Sequence, residues 1–113
     1  MSEPRAAPSA MTESAVITVA DNPTELRYEL HVAGELVGEI RYRREPGACV
    51  LVDVDIEPRL EGRGLGTRLV QGALDDLRAR NLAVVPHALF VADFIRQNPA
   101  YRSLVSDDPA VPD

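Results

Sequence analysis

The sequence predicts an α+β fold of a three-layer α/β type, with a mixed, mostly antiparallel sheet, a crossover helix after the fourth strand and a short C-terminal helix. Three observations predict it. Segments between residues 15 and 57 alternate apolar and polar side chains, as half-buried strands do. Residues 64–80 repeat apolar side chains at helical spacing. Residues 82–85 form a continuous apolar run, which is typical of a buried strand after a crossover helix.

The first four strands are predicted to form an antiparallel meander. They cover residues 15–20, 26–32, 36–43 and 49–57, with tight turns at residues 33–35 and 45–47. Alternation in the fourth strand predicts one face with Val50, Val52, Val54 and Ile56 and another with Leu51, Asp53, Asp55 and Glu57. This strand leads directly into a glycine-rich segment.

The main helix is predicted to end at Asn81, a residue that tolerates the left-handed conformation common after a helix. Gly72 inside that helix costs about 1 kcal/mol relative to alanine, so we expect a close packing contact there. Pro86 ends the fifth strand. A short helix around Phe90 is closed by Asn98 and the proline that follows it.

Composition and charge narrow the function classes. The chain has 113 residues, which suits one domain, and a net charge of −6, which argues against a general nucleic-acid binder and favours cationic partners such as amines. Cys49 is the single cysteine, so no intramolecular disulfide is possible and a cytoplasmic location is expected. Two histidines and one cysteine show no metal-ligand spacing. No apolar run is long enough for a membrane span.

Both ends of the chain differ in composition from its middle. Residues 1–14 are rich in Ser, Pro, Ala and Glu without periodicity, which predicts a disordered tail. Residues 107–113 have the same character. The folded domain is therefore expected to span residues 15–106.

Three glycines, Gly62, Gly64 and Gly66, lie between the fourth strand and the main helix. Glycine lets the backbone approach a ligand, and a helix N-terminus attracts anions, so the segment predicts a phosphate or pyrophosphate site. A nucleoside-triphosphate loop would need a lysine before Thr67, and the dinucleotide fingerprint would need a third glycine at that position. Neither pattern fits.

The segment resembles the coenzyme A pyrophosphate loop of the GNAT acetyltransferase superfamily, Arg/Gln-x-x-Gly-x-Gly/Ala, with Gly64 and Gly66 as its small residues. Glu61 departs from the pattern, because the family has Arg or Gln there. The chain is similar in particular to the compact, single-domain CG-type branch. Further matching positions are Tyr28, residues 34–38, Tyr42, Pro86, Phe90, Val91, Asn98 and Pro99.

The resemblance implies a GNAT-type sheet in which the fourth and fifth strands splay apart to admit acetyl-CoA. The residues that it implies for coenzyme A binding are Ile56, Glu61, Gly62, Arg63, Gly64, Leu65, Gly66, Thr67, Arg68 and Asn98. Arg59, Arg63 and Arg68 surround the loop and suit an anionic ligand, although solvated arginines are also common at a helix start.

The implied reaction is acetyl transfer from acetyl-CoA to an amine by direct attack, with a backbone N–H of the fourth strand polarising the carbonyl. The compact branch has a His-Thr pair where this chain has Asp53 and Val54, and a cysteine at Ala88. Ala88 excludes an acetyl-cysteine intermediate. The expected catalytic base is then Asp53, or His87, which precedes Ala88 in the sequence. The alternatives are a solvated strand face for Asp53 and local hydrogen bonding for His87.

Three functions remain open from the sequence. The first is an acetyl-CoA-dependent N-acetyltransferase whose amine acceptor is a small molecule or a protein side chain. The second is a non-catalytic acyl-CoA-binding or regulatory module that has lost the family cysteine. The third is a small structural domain that binds no nucleotide. A monomer or weak dimer is expected, without nucleic acid, membrane or metal.

Overall fold

A five-stranded sheet with strand order β1-β2-β3-β4-β5 organises the fold. The computed structural model describes residues 16–106, and the two predicted tails lie outside them. The strands are β1 (Ile17–Asn22), β2 (Arg27–Val32), β3 (Glu35–Glu45), β4 (Ala48–Ile56) and β5 (Ala83–Pro86). The helices are α1 (Leu65–Ala79) and α2 (Leu89–Gln97), with short 3-10 helices at Pro58–Leu60 and Pro99–Leu104. β1 to β4 pair antiparallel and β5 joins β4 in parallel, which confirms the predicted fold class.

Both helices bury their apolar stripes in one core. α1 supplies Leu65, Leu69, Val70, Ala73, Leu74 and Leu77, and α2 supplies Val91, Phe94 and Ile95. These side chains pack with Tyr28, Leu30, Ile40 and Leu51 of the sheet, each of which is at most 1% exposed. The sheet face toward the helices is therefore the apolar one.

The end of α1 forms as the sequence predicts. Asn81 has φ +58°, in the left-handed region. The N–H of Leu82 donates to the Leu77 carbonyl at 3.0 Å, and that of Asn81 donates to the Arg78 carbonyl at 3.0 Å. These two bonds are the Schellman pattern, which satisfies the last helical carbonyls and turns the chain toward β5.

The predicted faces of β4 are wrong because the strand contains a β-bulge. Arg41 of β3 pairs with Asp53 and the next residue, Tyr42, pairs with Leu51, so Val52 has no partner on β3. Leu51 is fully buried, whereas Val52 is 40% exposed. An extra residue in one strand reverses the alternation beyond it, and sequence periodicity alone does not reveal that point.

Beyond the bulge, Val54 and Ile56 pack against the core on the helix side. Asp53 and Asp55 lie on the opposite face, where Asp53 accepts a hydrogen bond from Arg41 at 2.7 Å. The bulge thus gives the C-terminal end of β4 an apolar face toward the helices and an acidic outer face.

Gly72 confirms the expected close contact in α1. A Cβ built on Gly72 would lie 2.7 Å from Cβ of Val19 in β1 and 2.8 Å from one of its methyl groups. Val19 is β-branched and has no flexible end that can move away. The glycine therefore sets how closely α1 approaches the first strand.

We expect Gly72→Ala to lower the free energy of unfolding by about 1–3 kcal/mol, because overpacking outweighs the gain in helix propensity. Urea unfolding measures it. In the double variant, Gly72→Ala with Val19→Ala, we expect the loss of unfolding free energy to be smaller than the sum of the two single losses. The smaller side chain at position 19 removes the clash. Strict additivity in this cycle would contradict the contact.

A partly buried polar network joins the other end of α1 to the sheet. The Tyr28 hydroxyl donates to Asp76 and the Tyr42 hydroxyl donates to Asp21, each at 2.5 Å. Arg80 pairs with both carboxylates, at 3.1 Å to Asp21 and 3.0 Å to Asp76. Burial, followed by the hydrogen bond to its aspartate, raises the pKa of each tyrosine well above its usual range.

This network predicts a loss of stability in base. Above about pH 10 an unfolded tyrosine releases its proton while the folded one keeps it, so the unfolded chain binds fewer protons and the free energy of unfolding falls as pH rises. Tyr42→Phe is expected to lower stability near neutrality by about 1–3 kcal/mol, because buried Asp21 loses a donor, and to make the decline above pH 10 shallower. Urea unfolding across this pH range checks both effects, and an unchanged slope in the variant would contradict the assignment.

Candidate functional site

The site begins where β4 and β5 separate. The two strands pair from Ala48 with Ala83 to Leu51 with Pro86. One further hydrogen bond, from the Ala88 N–H to the Leu51 carbonyl at 2.9 Å, joins the two chain segments. After it α2 begins, while β4 continues to Ile56 without a β5 partner. We call the space beyond this bond the β4–β5 gap.

The backbone of β4 faces the β4–β5 gap with polar groups that β3 does not use. The Glu57 N–H donates to the Val37 carbonyl of β3 at 2.9 Å. Backbone groups alternate in direction along an antiparallel strand, so those of Asp55 also face β3. The N–H and C=O groups of Val54 and Ile56 then face the gap. They form a short strip of donors and acceptors for an extended ligand.

The glycine segment forms the second part of the site. Gly62 and Gly64 have φ +84° and +77°, and among residues 16–106 no heavy atom beyond the adjoining residues lies within 4 Å of the position that a Cβ would take on either residue. Glycine is thus required there by backbone conformation rather than by crowding. Gly64 is the N-cap of α1, and no side chain caps this end or places a negative charge in the first turn. The first helical N–H groups are available to an anion.

The two parts meet in one cleft of about 490 Å³, which we call the loop cleft. It is lined by Val54, Asp55, Ile56, Leu60, Glu61, Gly62, Gly64, Leu65, Gly66, Thr67 and Phe90. The helix N–H groups at one end of this cleft suit an anionic head. The apolar side chains and free backbone groups along β4 suit an extended arm.

Seven of the ten predicted binding residues line the loop cleft, namely Ile56, Glu61, Gly62, Gly64, Leu65, Gly66 and Thr67. Arg63 and Arg68 are exposed beside it and form no salt bridge within residues 16–106. Asn98 is not among the lining residues. Its side-chain amide donates to the Phe94 carbonyl at 2.8 Å, so it closes the end of α2.

Arg59, the third arginine near the loop, is already paired. Its guanidinium donates to Glu35, the first residue of β3, at 2.7 Å and lies 3.7 Å from Glu57. This pairing joins the segment after β4 to the neighbouring hairpin. The positive charge available to a ligand therefore comes from Arg63 and Arg68.

The two aspartates of the outer face differ in their surroundings. Asp53 is paired with Arg41, its side chain is 50% exposed, and it is not among the residues that line the loop cleft. Asp55 lines the loop cleft and also an adjoining cleft of about 280 Å³ between the ends of β3 and β4. The sequence predicts for Asp55 only that it shares a strand face with Asp53.

The chain just after β5 holds the other predicted catalytic position. His87 is exposed, and its N–H donates to the Val85 carbonyl at 3.1 Å. Ala88, which the resemblance places at the family cysteine, is 8% exposed and is the N-cap of α2. The structure thus leaves His87 open to solvent beside the gap. The role of catalytic base stays a prediction for His87 and for Asp53.

Sequence reasoning missed four lining residues, Val54, Asp55, Leu60 and Phe90, as members of a binding site. Val54 was placed on a strand face whose direction the bulge changes. Leu60 lies in the short 3-10 helix after β4, and no sequence pattern marks that turn. Phe90 was a matching position of the resemblance, but only the packing of α2 against the loop brings it into the cleft.

Two residues with reactive side chains have structural roles. Cys49 is 1% exposed, and burial raises the pKa of its thiol to about 11, so the neutral thiol persists at physiological pH. Tyr101 donates to Asp75 at 2.8 Å and packs its ring against Phe94 and beneath the Arg78 guanidinium. Cys49 therefore packs in the core, and Tyr101 packs against α2 and hydrogen-bonds to α1.

Within residues 16–106, no three His, Cys, Asp or Glu side chains are arranged to hold a metal ion together. No helix in the same part of the chain has both the length and the apolar character needed to cross a membrane.

A family described as GCN5-related N-acetyl-transferase matches residues 27–104, from the start of β2 to the end of the last 3-10 helix. The match includes both the loop cleft and the β4–β5 gap. No curated protein matches the chain.

Proposed function

The chain belongs to the GCN5-related N-acetyltransferase family, and we propose that it transfers the acetyl group of acetyl-CoA to an amine by direct attack of the amine on the thioester. The observation that carries this proposal is the loop cleft, which joins the anion-binding end of α1 to the free backbone of β4. When bound, acetyl-CoA supplies an activated acyl group on a thiolate leaving group. The protein supplies binding, orientation and proton transfer.

The donor set of the loop fits a diphosphate. The first N–H groups of α1 lack intrahelical partners, Gly62 and Gly64 leave open space above the backbone, and Arg63 and Arg68 add positive charge. Glu61 lines the cleft where the family pattern has Arg or Gln. Its negative charge opposes an anion, so we expect weaker binding than the family pattern would give.

The backbone of β4 is the candidate for holding the thioester. Val54 and Ile56 face the gap with backbone donors and acceptors, and their apolar side chains lie toward the core. We propose that the Val54 N–H polarises the acetyl carbonyl, since a fixed backbone donor stabilises the negative charge that develops on that oxygen.

We propose Asp55 as the group that attracts the acceptor amine and receives its proton. An alkylamine is almost wholly protonated at neutral pH, since its pKa is about 10.4, and must lose a proton before or during attack. Asp55 lines the loop cleft, whereas Asp53 is engaged by Arg41. His87 beside the gap is the other candidate proposed from the sequence.

A non-catalytic acyl-CoA-binding module is the second candidate function. One departure favours it: Ala88 occupies the position of the family cysteine, and its methyl side chain cannot act as a nucleophile. Glu61, where the family has Arg or Gln, weakens carrier binding equally in both functions. Both functions share the carrier site and differ in whether an acceptor is acetylated.

The carrier site is tested with Gly64→Trp. A large side chain at the head of α1 is expected to block the loop cleft and abolish the rise in melting temperature that acetyl-CoA causes in the unmodified protein. Gly47→Trp is a matched control, because Gly47 has φ +72°, a similarly open Cβ position, and lies in the β3–β4 turn at the other end of β4. It should lose stability but keep the response to acetyl-CoA. A response retained by Gly64→Trp would contradict the site.

The role of Asp55 is tested by release of free coenzyme A with a panel of primary amines. We expect Asp55→Asn to lower kcat/KM about tenfold to a hundredfold, as for loss of a proton acceptor, with acetyl-CoA affinity unchanged. Asp53→Asn and His87→Ala are compared under the same conditions. A larger loss in either of them would move the role to that residue, and binding without any acetyl transfer would establish the non-catalytic module.

A further inference from the structure

Phe90 occupies an unusual position for an aromatic residue of α2. The helix directs Val91, Phe94 and Ile95 into the core, whereas the ring of Phe90 is 45% exposed and lines the loop cleft together with Val54 and Ile56. The neighbouring Leu89 is 81% exposed but is not among the lining residues. Phe90 thus presents apolar surface to the cleft itself.

The ring is held in place by Gly66 of the glycine loop. A Cβ built on Gly66 would lie 2.8, 3.3 and 3.4 Å from three carbon atoms of the Phe90 ring. Any side chain at position 66 would therefore displace the ring, and glycine lets it lie against the backbone of the first turn of α1. The contact joins α2 to the loop at the point where the two helices approach each other.

The base of α2 is anchored as well. Its N-cap residue, Ala88, donates its N–H to the Leu51 carbonyl at 2.9 Å, which closes the β4–β5 gap. Phe90 follows two residues later. The backbone that carries Phe90 is therefore anchored at the end of the gap, and its ring lies against the loop.

We propose that Phe90 determines the preference of this site for a carrier with an extended arm: its ring is the apolar wall against which the pantetheine arm of coenzyme A lies. The proposal rests on the proposed function, because it requires coenzyme A to occupy the loop cleft. A half-exposed ring gains most when a ligand covers it, since burial of apolar surface is favourable. A nucleotide without the arm would leave the ring in water.

The experiment compares coenzyme A with ADP, which has a diphosphate but no arm, by titration calorimetry. Phe90→Ala is expected to weaken coenzyme A binding roughly tenfold, from the apolar area lost, and to leave ADP binding within twofold of the unmodified protein. Leu89→Ala is the matched control and should change neither affinity. Phe90→Leu, which keeps an apolar side chain, should recover part of the loss for coenzyme A.

A second pair of variants tests the contact with Gly66. Gly66→Ala should weaken coenzyme A binding by displacing the ring, and the double variant with Phe90→Ala should bind no more weakly than Phe90→Ala alone. Melting temperatures without ligand identify any variant that fails to fold.

Two outcomes would overturn the role of Phe90 while leaving the carrier site intact. If Phe90→Ala lowers the affinity for coenzyme A and for ADP equally, the ring acts through the loop and does not contact the arm. Unchanged coenzyme A affinity in that variant would mean that the ring has no part in binding. Failure of the unmodified protein to bind coenzyme A would instead refute the proposed function.

Discussion

The hydrogen bond between the Ala88 N–H and the Leu51 carbonyl is the constraint on which the site depends. It is the last link between β4 and the segment that follows β5, and beyond it the two segments separate. Beyond this link no strand within residues 16–106 pairs with that side of β4, so the backbone groups of Val54 and Ile56 face the gap. A sheet that continued its pairing to the end of β4 would have consumed them.

The β-bulge at Val52 gives this gap its chemical character. It turns Val54 and Ile56 toward the core and leaves Asp53 and Asp55 on the outer face. Bulges add one residue to a strand and change the direction of every side chain beyond it. The gap therefore has an apolar side, on which the helices pack, and an acidic side that carries Asp53 and Asp55.

The position of α1 is determined at three points along its length. Its C-terminal end is held by Arg80 through Asp21 and Asp76, and its middle lies against Val19 at Gly72. Its N-terminal end meets the Phe90 ring. The first two contacts are purely structural and leave the N-terminal turn free of capping side chains. The N-terminal end of the helix is thus fixed in space while its first N–H groups have no side-chain cap.

Local chemistry explains what the sequence by itself determined about this protein. The strand and helix order followed from periodicity, and the left-handed Asn81 and the glycine segment followed from backbone conformation, because each depends on residues a few positions apart. The glycine segment was predicted as a phosphate site in this way, and the other predicted residues around it came from the resemblance to a family. The close contact at Gly72 was also predicted, although its partner in β1 was not.

Tertiary structure decided the features that depend on residues far apart in the chain. The bulge arises in the pairing of β3 with β4, and periodicity placed Val52 on the wrong face. Asp53 pairs with Arg41, whereas Asp55 on the same face is among the residues that line the cleft. Packing of α2 on α1 brings Phe90 to Gly66 across 24 positions of sequence (90 − 66). Such contacts form only when the elements pack, so the sequence determined the elements and the loop, and the packed fold decided which side chains reach the site.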